Sequence, residues 1–351
     1  MLDSIRVRRH DPENMLDQLI GFPDQCAGAV KLVEGFQLDG YTELEIRNIV
    51  IAGMGGSGIG GDLVKAVVAD NCPIPVAVHR DYSLPAFVGQ GTLFIAVSFS
   101  GNTEETLMSV ETAYERGAVL IAITGGGKLA EFAVQRGIPC LTIPARGQPR
   151  SALGYLYLPV LAILDRLGFA QGFDFRGDTQ EAIHLLSRLV NGFHPDVEDN
   201  RPKQLARQMC GKLPIIYAPQ SLRAVAIRWT AQINENAKSL AYHNLLPEMN
   251  HNEIEGWKFP SDLTRCCFVV MLCDDAAHNR TQRRMEITAQ LIEKHTAGIA
   301  QVHSQGESLL ARLLSLIAVG DWTSLYLAVS YAQDPTPVVR IQELKRRLQM
   351  G

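Results

Sequence analysis

Two stretches of this chain carry residue types at spacings suited to holding an anion. The first is Gly53-Met54-Gly55-Gly56-Ser57-Gly58-Ile59-Gly60-Gly61, which follows a run that reads as a strand and precedes one that reads as a helix. Glycines at such a turn let backbone approach a negative ligand, and the helix start offers unpaired N–H groups and a favourable dipole. The stretch contains G-x-G-x-x-G at Gly53, Gly55 and Gly58. Asp81 falls near the end of the next expected strand, where a dinucleotide fold places its ribose-binding acid. A nicotinamide or flavin oxidoreductase is therefore one reading, and a tight turn with no ligand is a plainer one.

The second stretch is Ser98-Phe99-Ser100-Gly101-Asn102-Thr103-Glu104-Glu105-Thr106. Two serines, a threonine and the N–H groups of a helix start make a compact, neutral cradle for a phosphate dianion. Helix capping competes for this pattern, with Ser100 or Asn102 as N-cap and Glu104 or Glu105 in the first turn, but capping uses only one hydroxyl. A dinucleotide fold has no standing need for a hydroxyl-rich loop at its third strand. A monophosphate site does.

Further along, Glu235 lies in Asn234-Glu235-Asn236-Ala237-Lys238, and Arg228, Gln232 and Glu235 share a helix face at i, i+4 and i+7. That face could give a carboxylate polar company in a cleft; a lone helical Glu is otherwise a solvated group pairing with Lys238. His251 follows sixteen residues later in Asn250-His251-Asn252-Glu253, and an imidazole there suits proton shuttling, as any exposed one does. Arg150 opens a long apolar stretch after the fifth expected strand, at the strand ends where doubly wound sheets place ligands. Lys345, Arg346 and Arg347 are consecutive near the C-terminus.

The elements that would position these groups follow from the pattern of apolar runs. Strands are expected at 48–52, 75–78, 93–97, 119–124 and 140–143, separated by helices that include 103–116 and 128–135. This is the signature of a parallel sheet covered on both faces. A long apolar helix at 151–167 and a glycine-rich linker at 168–177 follow. The order then restarts: strands at 213–218, 267–272 and 298–303, helices at 222–240 and 278–294, and further helices from 307 to 332. Two α/β domains are expected, each a parallel sheet flanked by helices.

The chain has 351 residues and a formal net charge of -4, which leaves no basic surplus for binding nucleic acid. The apolar runs read as too short to span a bilayer, and the N-terminus lacks a signal-peptide core. Seven scattered cysteines without a C-x-x-C pair are expected to be reduced thiols in a cytoplasm. Nine dispersed histidines, with no H-E-x-x-H, suggest no metal.

Taken together, G-G-S-G and S-x-S-G-N-T-x-E-T one strand apart resemble the sugar-isomerase (SIS) domain, a flavodoxin-like fold that binds phosphosugars. Pro149 to Tyr155, Asn234 to Lys238, Asn250 to Glu253, and the tail from Asp334-Pro335-Thr336-Pro337 to Lys345 resemble the bifunctional phosphoglucose/phosphomannose isomerases, in that family's order. The resemblance implies two flavodoxin-like SIS domains. It divides the chain into an N-terminal helical segment (1–40), a phosphate-binding domain (41–155), connecting helices (156–200), a second domain (201–335) and a C-terminal helix reaching the active site (336–351).

The activity so implied is an aldose–ketose isomerisation of carbohydrate metabolism, joining glucose 6-phosphate, mannose 6-phosphate or both to fructose 6-phosphate without metal or cofactor. Glu235 would be the base, Arg150 the stabiliser of the enediolate, His251 the ring-opening group shared across a homodimer, and Lys345 a contact to the ring oxygen. Gly55, Gly56, Ser57, Ser98, Ser100 and Thr103 would bind the phosphorylated substrate. A phosphosugar-binding regulator without catalysis would need the serine loop, but not Glu235, His251 and Arg150 together.

Overall fold

The computed structural model describes residues 2–348 and 350. Short apolar runs bounded by turns become parallel strands. β1 (Asn48–Ala52), β2 (Val76–His79), β3 (Thr92–Ser98), β4 (Val119–Thr124) and β5 (Cys140–Thr142) form one sheet in the order β2-β1-β3-β4-β5. All of its pairings are parallel. Every residue of the central strand β3 is buried, as a strand covered on both faces requires. On one face Val50, Phe94 and Leu120 pack with Val110 and Leu129 from the helices Glu104–Glu115 and Gly127–Arg136. Burying side chains of this size contributes about 1.5–3 kcal/mol each. On the other face the helix Gly55–Val68 lies close to Ile51 and Val78, and the long apolar helix Leu153–Arg166 packs upon it.

The second sheet holds β6 (Leu213–Pro219), β7 (Tyr242–Leu246), β8 (Cys267–Cys273) and β9 (Gly298–His303), all parallel in the order β7-β6-β8-β9. Tyr217, Val269 and Met271 pack with Met249, Trp257 and Met285 to form a core beside it. The fold is therefore α/β, with two parallel sheets flanked by helices. By internal contacts the residues group into two units. One comprises Met1–Ile20, Ser187–Gln305 and Arg312–Gly351; the other comprises Gly21–Leu186 and Gly306–Ala311.

Three details depart from the sequence reading. β7 is absent from the expected strands, because Tyr242, His243 and Asn244 are polar enough to read as loop; it is an edge strand, paired to β6 alone. The helix expected at 222–240 ends at Asn236, since Lys238 adopts a left-handed φ of 55°. The helix Leu309–Ser330 is long and apolar enough to cross a bilayer, which the apolar runs do not suggest, but 94% of its most apolar window is buried within the chain.

Candidate active site

In the first sheet β1 and β3 are neighbours, with β2 outside one and β4 outside the other. The strand order reverses between them, so the loops after β1 and β3 leave the sheet side by side at the point where open α/β sheets bind ligands. Ser57, on the glycine loop, accepts the backbone N–H of Phe99 from the serine loop at 3.2 Å. One hydroxyl thus joins the two stretches. Ser98 Oγ lies 3.0 Å from Thr103 Oγ1 and accepts the Gly101 N–H at 3.1 Å, while Ser100 Oγ accepts the Asn102 N–H at 3.2 Å.

Thr103 is the N-cap of the helix Glu104–Glu115, and its side chain makes no capping bond. Capping by Ser100 or Asn102 therefore does not explain the hydroxyls. Gly101 has a φ of 69°, and a Cβ there would stand 1.7 Å from the carbonyl oxygen of Gly126. The loop after β4 braces the cradle in this way, adding Lys128 N–H to Asn102 Oδ1 at 3.2 Å and Gly125 N–H to the Phe99 carbonyl at 3.2 Å.

Arg150 joins the same place. It lies in a short turn, Pro149–Ser151, and the long helix begins only at Leu153. A Cβ on Gly56 would stand 2.8 Å from the Pro149 carbonyl and 2.9 Å from Arg150 N. That glycine is what lets the arginine turn settle on the glycine loop. Arg150 is buried, with Nη1 3.4 Å from Gln148 Oε1. The structure thus gathers Gly55, Gly56, Ser57, Ser98, Ser100, Thr103 and Arg150 at the carboxyl ends of the central strands.

The acid of the dinucleotide reading, Asp81, is exposed and turns toward its own backbone. Asp81 Oδ1 accepts the Tyr82 N–H at 2.7 Å, so its carboxylate is engaged in its own turn. Arg80 covers Gly58, donating to its carbonyl at 2.8 Å and to Asp62 at 2.5 Å.

Glu235 lies in the last turn of the helix Arg223–Asn236, half-buried. Arg228 and Gln232, expected to accompany it, instead converge on Asp321. Arg228 Nε and Nη2 donate to the two Asp321 oxygens at 3.0 and 2.7 Å, and Gln232 Nε2 donates to Oδ1 at 3.0 Å. Trp229 donates to the Leu316 carbonyl at 2.9 Å and Asn236 to Ser324 Oγ at 2.9 Å. These four side chains fasten the Glu235 helix along Leu309–Ser330.

At its open end Glu235 lines a cavity of about 650 Å³ together with Lys238, Leu240, Asp334, Pro337 and Ile341. Lys238 Nζ donates to the backbone carbonyls of Glu235 at 2.6 Å and Pro335 at 3.0 Å, tying the helix end to the tail. Asn234 Oδ1 accepts the Ala241 N–H at 2.9 Å.

His251 belongs to the same unit, exposed at the end of the short helix Glu248–His251, with Met249 buried beneath it. Lys345 is exposed on the helix Val339–Leu348, and its neighbours Arg346 and Arg347 both pair with Glu343. Among the described residues no group of three or more His, Cys, Asp or Glu is arranged to hold a metal ion.

Comparison with known proteins places these residues in context. Residues 44–142 match the model of the SIS domain, and residues 198–348 match that of the bacterial phospho-glucose isomerase C-terminal SIS domain. The chain is 44% identical over 337 residues to the bifunctional phosphoglucose/phosphomannose isomerase of Caldicellulosiruptor bescii, covering 95% of this chain and 98% of that protein. It is 36% identical over 315 residues to the D-glucosamine-6-phosphate 4-epimerase of Sulfolobus acidocaldarius, covering 87% and 91%. Among solved structures, a hypothetical protein of Thermus thermophilus superposes with a TM-score of 0.72 at 13% identity, covering 98% of this chain and 92% of that one.

Proposed function

The chain belongs to the family of bifunctional phosphoglucose/phosphomannose isomerases, and on that premise we propose that it interconverts glucose 6-phosphate and mannose 6-phosphate with fructose 6-phosphate. The observation that carries the reading is the cradle of hydroxyls and helix-start N–H groups formed where Ser57 joins the loops after β1 and β3. Gly55, Gly56, Ser57, Ser98, Ser100 and Thr103 hold the phosphate through hydroxyls and helix-start N–H groups. The rest of the sugar is then fixed relative to its phosphate, so a base needs to act only at C1 and C2.

The chemistry follows in balanced steps. His251 and Lys345 assist ring opening, the first by moving a proton and the second by contact with the ring oxygen. Glu235 removes the C2 proton; the C–H electron pair forms the C1–C2 double bond, and the C1 carbonyl electrons pass to its oxygen. Arg150 stabilises that developing charge. Glu235 returns the proton to C1 while the O2 proton is transferred to O1, giving the ketose. The step is redox-neutral and needs no nucleotide. A second enzyme copy fits this reading: exposed Leu240, Val339, Ile341 and Leu344 in the unit that carries Glu235 favour a homodimer sharing His251. Seven free thiols suit a cytoplasmic enzyme.

The test supplies each hexose 6-phosphate in deuterated water with a chelator present, and follows both fructose 6-phosphate formation and deuterium at C2. Wild-type protein is expected to show both, and Glu235→Gln to lose both by about a thousandfold. Undiminished exchange in that variant removes Glu235 from the base role. Product analysis matters as well, because a relative of comparable identity is named for epimerisation at C4. Phosphosugar binding with no turnover would favour a regulator.

A further inference from the structure

Glu253 closes the motif that carries His251 and takes no part in the proton transfers above. Its carboxylate is held from two strands at once. Tyr217 on β6 donates its hydroxyl to Oε1, and Asn244 on β7 donates its amide to Oε2. Trp257 Nε1 donates in turn to the Tyr217 hydroxyl at 2.8 Å, and the two rings meet edge to face with centroids 6.2 Å apart. Tyr217 is fully buried and belongs to the core beside the second sheet, with Leu246 and Met249. The other side of the motif is also tied: Asn250 Nδ2 donates to Thr288 Oγ1 at 2.8 Å, on the helix Asn279–Ile292. His251 is therefore an exposed side chain standing between two anchors, at 250 and 253.

The chemistry of the clamp demands a carboxylate. Two donors meet it, one at each oxygen, and a carboxylate accepts both. Asn244 cannot turn its amide over without cost, because its Oδ1 accepts the Leu245 N–H at 2.8 Å. A glutamine at 253 would thus oppose NH₂ to a donor, either that of Tyr217 or that of Asn244. The Tyr217 hydroxyl is equally committed, donating to Glu253 and accepting from Trp257. Burial, with the Glu253 carboxylate second, pushes the tyrosine's pKa far up, so it remains a donor across the working range of the protein.

We propose that Glu253 is a positioning residue for His251: clamped between Tyr217 and Asn244, it fixes the loop so that the imidazole meets the sugar ring during ring opening. This rests on the ring-opening role given to His251 above.

The experiment compares full-length wild type, Glu253→Gln and Tyr217→Phe. Three readouts are taken: kcat and KM on glucose 6-phosphate, C2 proton exchange on 4,5-dideoxyglucose 6-phosphate (a six-carbon aldose phosphate lacking the hydroxyls that close the ring), and the His251 imidazole NMR signal without substrate. A displaced imidazole is expected to lower kcat on the cyclic sugar by about ten- to a hundredfold, with KM changed by less than about twofold. Exchange on the acyclic sugar should hold near wild type, and the His251 signal should move toward that of an unstructured histidine.

Equal losses on both sugars, or a wild-type His251 signal with wild-type kcat, overturn the proposal. Tyr217→Phe keeps the core volume and carries the test if Glu253→Gln does not fold. A wild type inactive on every hexose phosphate would instead defeat the proposed function, while the imidazole signal still reads the clamp.

Discussion

The residues on either side of Glu235 hold the chain in place. Asn234 catches the chain where it leaves the helix, and Asn236 bonds Ser324, so both asparagines hold the backbone from which the carboxylate projects. His243 makes a separate statement about protonation. It is half-buried on β7, with Thr230 Oγ1 3.3 Å from its Nδ1, and burial first and Arg223 second hold its pKa below the ordinary 6.5. The fold prefers the neutral ring, so its contribution to stability is complete above that value and is lost as pH falls through the depressed folded one. We expect urea midpoints to decline as pH falls below the ordinary 6.5, and His243→Gln to flatten that part of the curve. An unchanged slope would assign the decline to other groups.

At the scale of elements, what matters is how the Glu235 helix is fastened. Arg228 and Asp321 are 3% and 6% exposed at their side chains, a buried pair bonded through two parallel contacts. Removing one partner leaves the other charge buried and alone, which costs about 3–5 kcal/mol, whereas replacing both with apolar groups is far milder. Arg228→Leu should therefore lower the urea midpoint much more than Arg228→Leu combined with Asp321→Leu. In the double variant kcat should fall further than stability, because the helix is held but less narrowly aligned. A double variant with wild-type kcat would show that Trp229 and Asn236 suffice to place Glu235. This fastening is only half legible in the sequence. The i, i+4, i+7 spacing correctly puts Arg228, Gln232 and Glu235 along one helix, yet the partner of the first two lies 93 and 89 positions away. No local pattern points to it.

For the molecule as a whole, the open matter is whether one chain completes a site. If His251 serves the site of a second copy, Glu235→Gln and His251→Ala chains, each inactive, should complement when mixed. Half of the random pairs are mixed, and each mixed pair holds one intact site, so about one quarter of wild-type activity should return. If His251 serves its own chain, every site carries a lesion and none returns. Activity on mixing, measured after dissociation and reassembly, separates the two.

The amino-acid sequence by itself determined the five strands of the first sheet and three of the four in the second, because short apolar runs bounded by turns are local patterns. It also determined the glycine and serine loops, because a tight turn after a strand and hydroxyls at a helix start are local patterns. Tertiary structure alone decided the rest. β7 is polar along its exposed edge and becomes a strand only through pairing with β6. The capping explanation of the serine loop fell because Thr103 is the N-cap and makes no side-chain capping bond, while Ser57 joins the loop from another part of the chain. Glu253, an ordinary loop carboxylate in sequence, acquires its role from Tyr217 and Asn244 on two neighbouring strands. Such roles depend on contacts between residues far apart in the chain, and only the packed fold brings those residues together.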